Sequence, residues 1–129
     1  MGKAANSSIS LKQIHVTDNF WNKYVHLVKD VIIPYQWDIL NDKLEDVETS
    51  HCIENFKIAA GEKEGEFQGA VFQDTDVAKW LEAVGFVLNY ERDEKLEELA
   101  DETIELIGRA QQPDGYLNTY FTIKEPDGR

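Results

Sequence analysis

Two carboxylates stand at Asp74 and Asp76, and a group of hydrogen-bonding and aromatic side chains follows at Gln112, Asp114 and Tyr116. A pair of carboxyl groups roughly 5–10 Å apart is the apparatus that cleaves glycosidic bonds. The plainer account of these two aspartates is that they start a helix, where a capping oxygen and negative charge are both favourable. Glutamine and aspartate offer directed hydrogen bonds of the kind hydroxyl groups need, and a tyrosine ring offers an apolar face for stacking. Pro113-Asp114-Gly115 is equally ordinary turn chemistry, with proline presetting one dihedral and glycine accepting positive φ. Trp80 is a possible stacking platform, but it sits in an apolar helix and reads first as core. His15, His26 and His51 show no ligand spacing, and Cys52 has no second cysteine, so neither a metal centre nor a disulfide is indicated.

The elements that must carry these residues are helical by pattern. Ile9–Val16 is rich in β-branched residues and predicts a short strand. Thr17 and Asp18 cap a helix with Phe20, Tyr24, Leu27, Val28 and Val31 at helical spacing, and Pro34 should break it at Ile33. A short helix resumes near Tyr35 and runs to about Leu44, and the mostly polar and acidic residues between Asn41 and His51 suggest a loop. Ile53–Ala60 is a helix ended by Gly61, and Gly61–Gly69 is a mobile-looking connection. Asp74, Thr75 and Asp76 then open a helix whose segment Val77–Leu88 is apolar on nearly every face, which predicts burial among other elements. Gly85 in its middle costs about 1 kcal/mol relative to alanine and suggests a close helix–helix approach. After a tight connection, Glu94–Gln112 carries one stripe (Leu96, Leu99, Ala100, Thr103, Leu106, Ile107, Ala110) opposite an acidic face, a half-exposed helix antiparallel to its neighbour. A buried helix paired with a half-exposed one suggests the two layers of an α/α barrel or toroid. Tyr116–Phe121 has the makeup of a short strand.

Composition narrows the function. With 25 acidic against 13 basic side chains in 129 residues, the net charge of -12 disfavours nucleic acid as a partner. No apolar run approaches the roughly 20 residues that span a bilayer, and Met1–Ser10 lacks the apolar centre of a secretory signal. One cysteine fits a reducing compartment, so the expected location is cytoplasmic.

Four segments carry a resemblance: PYQWDILND (Pro34–Asp42), NFKIAAGE (Asn55–Glu62), FQGAVFQDTDVAKWLEA (Phe67–Ala83) and IGRAQQPDGYLNTYF (Ile107–Phe121). Together they closely resemble the N-terminal part of glycoside hydrolase family 127, typified by bacterial β-L-arabinofuranosidases, with the likeness running from about Ile14 to Phe121. The resemblance implies a mainly α fold, a partial (α/α)6 barrel (helical toroid), to which the β-branched residues of Ile9–Val16 add a short N-terminal strand. Residues 1–13 are then a flexible lead-in, and 14–129 an incomplete N-terminal part of the catalytic barrel domain. It also implies retaining hydrolysis by a cysteine nucleophile held with other cysteines and a glutamate around zinc, a second glutamate serving as acid/base. All of those motifs lie downstream of the matched segments, and Cys52 does not fall on the nucleophile motif. No residue of this chain is therefore assigned as catalytic or as a metal ligand, zinc being expected only in a full-length family member.

The candidate substrate-binding residues are Gln73, Asp74, Asp76, Trp80, Gln112, Asp114 and Tyr116, and the implied ligand is a carbohydrate, an arabinofuranoside. A partial ring leaves apolar helix surface wet at about 25 cal/mol per Å², so self-association through uncovered helices is expected. The alternatives are a non-catalytic helical interaction module, or a piece of another α/α-barrel sugar enzyme such as an epimerase or unsaturated-uronyl hydrolase.

Overall fold

Asp18 starts the first helix of the computed structural model, which describes residues 9–128. Its carboxylate accepts from the backbone N–H groups of Phe20 (3.0 Å) and Trp21 (2.7 Å), which opens α1 (Asn19–Leu27). The expected break at Pro34 does not occur. The chain passes through a π-type turn, Val28–Ile32, in which the N–H of Ile33 reaches back to the carbonyl of Val28, and continues into α2 (Ile33–Leu40). Pro34 lies in the first turn of α2, where its missing N–H costs little, and the wider turn before it makes room for the ring. The helix ends at Leu40, short of Leu44. Asn41 folds its side-chain amide back onto the Trp37 carbonyl (2.8 Å), and Asp42 turns the chain at φ 55.

α3 (Cys52–Ala59) ends as expected at Gly61, whose φ of 75 is open to glycine at little cost. The connection that follows is pinned by Asn55. Its side-chain amide donates to the Gln68 carbonyl (2.8 Å) and its oxygen accepts from the Gln68 N–H (3.2 Å). α4 (Asp74–Tyr90) and α5 (Glu94–Ala110) form the anticipated antiparallel hairpin across a three-residue link, and α6 (Thr119–Ile123) follows.

Among the described residues no strand forms, which corrects both strand expectations. Within Ile9–Val16, Leu11–Gln13 is a 3-10 turn, and no extended neighbour lies alongside to share a ladder. The segment is held instead by the Tyr90 hydroxyl, which donates to the Val16 carbonyl (3.3 Å). In Tyr116–Phe121, Asn118 caps a helical turn by accepting from the Phe121 N–H (3.0 Å), and Asp74 takes the Thr119 N–H (2.7 Å). Two satisfied donors outweigh a modest β preference.

The core lies between α2, α3, α4 and α5, around Ile33, Phe56, Val77, Trp80 and Val84. Trp80 is its largest member at 2% exposure. It stacks on Trp37 at 4.5 Å between ring centroids, and its indole N–H donates to the Ile33 carbonyl (3.1 Å). α5 behaves as its pattern requires, with Ala100, Thr103, Leu106 and Ala110 buried and the acidic face in solvent.

α4 departs from expectation. Val77, Trp80, Val84 and Val87 are buried, whereas Ala78, Glu82, Gly85 and Phe86 are exposed. The described helices pack against one side of α4 only. Gly85 has no atom within 4 Å of where a Cβ would stand, so no close approach among the described residues accounts for it.

Candidate functional site

A cleft of about 650 Å³ opens at the head of α4, bordered by α2, by residues Glu48–Ser50 and by the turn Gly69–Gln73. Its floor is apolar, formed by Ile39, Leu40 and the edge of Trp80, and its rim carries Gln36, Phe72, Gln73, Asp76 and Lys79. Local sequence explains how the rim is held. Gly69 adopts φ +94, and a Cβ there would stand 3.1 Å from the Gln73 side-chain oxygen, so the turn needs glycine. That oxygen accepts from the Ala70 N–H (3.2 Å), and the Gln73 amide nitrogen lies 3.5 Å from the hydroxyl of Ser50. Gln73 is the residue before α4 yet caps nothing with its side chain; it spans the turn and the 48–50 segment. Asp76 accepts from Lys79 (3.0 Å), which also donates to the Thr75 hydroxyl (3.2 Å), all near the surface. Phe72 is 66% exposed, an aromatic face turned to solvent at the cleft's edge.

Asp74 has a different role from the helix cap expected of it. Its two carboxylate oxygens accept from the Thr119 N–H (2.7 Å) and the Thr119 hydroxyl (2.5 Å), 45 residues along the chain. It therefore joins the start of α4 to the start of α6. Asp74 is engaged with Thr119 and Asp76 with Lys79.

Gln112, Asp114 and Tyr116 form a separate turn and do not border the cleft at α4. The Gly115 N–H donates to the Gln112 carbonyl (2.8 Å), the Gln112 N–H to the Tyr116 carbonyl (2.9 Å), and the Tyr116 N–H to the Asp114 carboxylate (3.1 Å). Gly115 supplies the positive φ of 87. Of the candidate residues, then, the structure brings Gln73, Asp76 and Trp80 together, with Trp80 contributing mainly to the core. Sequence reasoning missed Gln36, Ser50 and Phe72. Both Gln36 and Phe72 stood inside recognised segments, Gln36 as a polar residue in a mostly apolar helix and Phe72 as an exposed aromatic in the turn before α4.

Cys52 is fully buried, and its thiol donates to the Gln73 carbonyl (3.3 Å). Burial pushes the thiol up to about 12, and the charges of Asp74, Asp76 and Asp42 act in the same direction against a backbone hydrogen bond from Val77. A thiol so held stays protonated and is a poor nucleophile. Among the described residues no three His, Cys, Asp or Glu side chains gather where they could hold a metal ion, so these residues do not fit a zinc centre.

The chain is helical, with its core to one side of α4 and a polar-rimmed cleft at the head of that helix, and comparison with known proteins gives its family. The family described as "Beta-L-arabinofuranosidase, GH127 catalytic domain" matches residues 13–129. A non-reducing end β-L-arabinofuranosidase from Bifidobacterium longum subsp. longum is 42% identical over 123 residues, covering 86% of this chain and 19% of that protein. The crystal structure of Ara127N-Se, a GH127 β-L-arabinofuranosidase from Geobacillus stearothermophilus T6, superposes with a TM-score of 0.89 at 62% identity, over 91% of this chain and 18% of that one. The GH127 β-arabinofuranosidase BT3674 matches with a TM-score of 0.77 at 31% identity, over the same shares. The chain belongs to glycoside hydrolase family 127. It corresponds to the N-terminal part of a β-L-arabinofuranosidase-like protein and spans less than a fifth of the length of these relatives.

Proposed function

We propose that this chain supplies the first helical pairs of an (α/α)6 barrel and one wall of a pocket for a β-L-arabinofuranoside. The observation that carries the reading is the cleft at the head of α4, where an exposed aromatic ring, two amide side chains and a carboxylate converge over an apolar floor. Phe72 offers its face to the C–H side of a sugar ring. Gln36 and Gln73 each present a donor and an acceptor to hydroxyl groups, and Asp76 accepts from a hydroxyl while Lys79 holds its charge. None of these groups is arranged as a nucleophile with a base, so the work of this wall is binding and orientation. Zinc chemistry, implied by the resemblance, finds no fitting donor set among the described residues, and no step is routed through it. No described helix is long and apolar enough to cross a membrane.

The test is amide chemical-shift mapping of the chain titrated with methyl β-L-arabinofuranoside, alongside an assay on an aryl β-L-arabinofuranoside with zinc added. The expected result is saturable shifts centred on Gln36, Phe72, Gln73 and Asp76 and no turnover. Robust turnover, or shifts confined to the 112–116 turn, would overturn the reading.

A further inference from the structure

Among the described residues only two other than glycine adopt positive φ, Asp42 (55) and His51 (56), and the two are joined. One Asp42 carboxylate oxygen accepts from the N–H groups of Ser50 (2.6 Å) and His51 (3.0 Å). The other lies 3.1 Å from the His51 N–H and 3.4 Å from its imidazole Nδ1. A left-handed conformation is uncommon at residues with a Cβ, and aspartate and histidine adopt it more readily than most. Here the two left-handed positions and the four contacts close the loop 43–49 like a clasp. The last residues inside that clasp, Glu48, Thr49 and Ser50, form part of the cleft rim, and the Ser50 hydroxyl is the partner of the Gln73 amide. Neither Asp42 nor His51 borders the cleft; both line a separate small cavity with Asn41, Glu54, Lys57 and Lys63.

We infer that Asp42 and His51 are positioning residues, a clasp that fixes the height of the Glu48–Ser50 rim and, through Ser50, the orientation of Gln73 toward a bound sugar. The inference rests on the sugar-binding reading of the cleft, and its geometric half is measurable without sugar. The carboxylate is the element that matters, because one side chain gathers two consecutive backbone donors. Asparagine keeps one oxygen and tolerates the left-handed region, whereas alanine keeps neither advantage.

The experiment uses the 129-residue chain, methyl β-L-arabinofuranoside, and the variants Asp42→Ala and Asp42→Asn, read by two-dimensional NMR with the Trp80 indole N–H as reporter of an intact core. The clasp predicts that Asp42→Ala moves the Ser50 amide and Gln73 side-chain resonances, leaves the Trp80 signal in place and weakens sugar binding at least tenfold. Asp42→Asn should recover affinity to within about threefold of the parent. If alanine abolishes folding, the asparagine variant carries the test: a displaced Ser50 resonance with a modest loss of affinity supports the clasp, and unchanged resonances overturn it. An alanine variant with an intact core and parental affinity also overturns it. Should the parent chain itself give no shifts with the sugar, the sugar reading fails separately. The clasp is then judged on the Ser50 and Gln73 resonances alone.

Discussion

Replacing Asp74 by alanine removes the shared acceptor of the Thr119 N–H and hydroxyl, the bond that ties the start of α6 to the start of α4. Thr119 is 1% exposed, so water cannot replace the lost partner without local opening. A buried donor left unsatisfied costs about 1–3 kcal/mol, more when its partner was charged. Two donors give about 2–6 kcal/mol, and we expect the lower half, about 2–4, because Asn118 still caps the Phe121 N–H. In urea, with a slope of about 2 kcal/mol per molar, the middle of the usual range, that corresponds to a midpoint lowered by about 1–2 M, measured by tryptophan fluorescence. Asp74→Asn retains one acceptor oxygen and should lose about half as much, while Thr119→Ala removes only the hydroxyl and should cost about 1 kcal/mol. The double variant should cost less than the sum, since the hydroxyl donor is then no longer stranded. The reasoning is refuted if Asp74→Ala shifts the midpoint no more than a change at solvent-exposed Asp101.

Four further outcomes are expected. The Cys52 thiol holds its proton more tightly folded, at about 12, than at its ordinary value of 9.0; its contribution to stability is therefore complete below pH 9 and lost as pH rises toward 12, at up to about 1.4 kcal/mol per pH unit. Urea melts between pH 8 and 10.5 should show a steeper loss for the parent than for Cys52→Ala, and identical slopes would contradict this. Gly69→Ala imposes a Cβ at φ +94 against the Gln73 oxygen; calorimetry should show a loss of about 1–2 kcal/mol, accompanied by weaker sugar binding, whereas parental stability would count against the turn's role. Trp80→Phe removes the indole donor to Ile33 and part of the stacking on Trp37; denaturation should record a loss of about 1–3 kcal/mol, and a neutral change would show that contact to be incidental. Trp21 and Phe86, 59% and 57% exposed, border an apolar groove of about 550 Å³ between α1 and α4; light scattering should show mass rising with concentration, reduced by Trp21→Glu, and a monomer at every concentration would dismiss self-association.

The α4–α5 hairpin was legible because periodicity speaks for amphipathic helices: the α5 stripe at Ala100, Thr103 and Leu106 is where the sequence puts it. Trp80 likewise read as core and is core. What misled was local rules meeting distant partners. Pro34 forbids a regular ladder, but a π turn satisfies the same constraint without a break. Tyr116–Phe121 has strand-like residues, yet its conformation follows from Asp74, 45 residues away, and no local pattern encodes that bond. Ile9–Val16 had β-branched residues but no strand to pair with. For the cleft, the spacing of two carboxylates led to Asp76, and Gln73 stood beside them in a family segment, while Phe72 and Gln36 became visible only once the turn at Gly69 and helix α2 were set side by side. The glycine at position 85 has no explanation in the described packing.

The central claim is that the groove at the head of α4 receives a sugar. A crystal structure of the chain with methyl β-L-arabinofuranoside tests it most directly. The account predicts a furanose ring against the Phe72 face, with its hydroxyl groups within hydrogen-bond distance of Gln73 and Asp76. A ring bound at the 112–116 turn, or a groove that stays empty at saturating sugar, would contradict it.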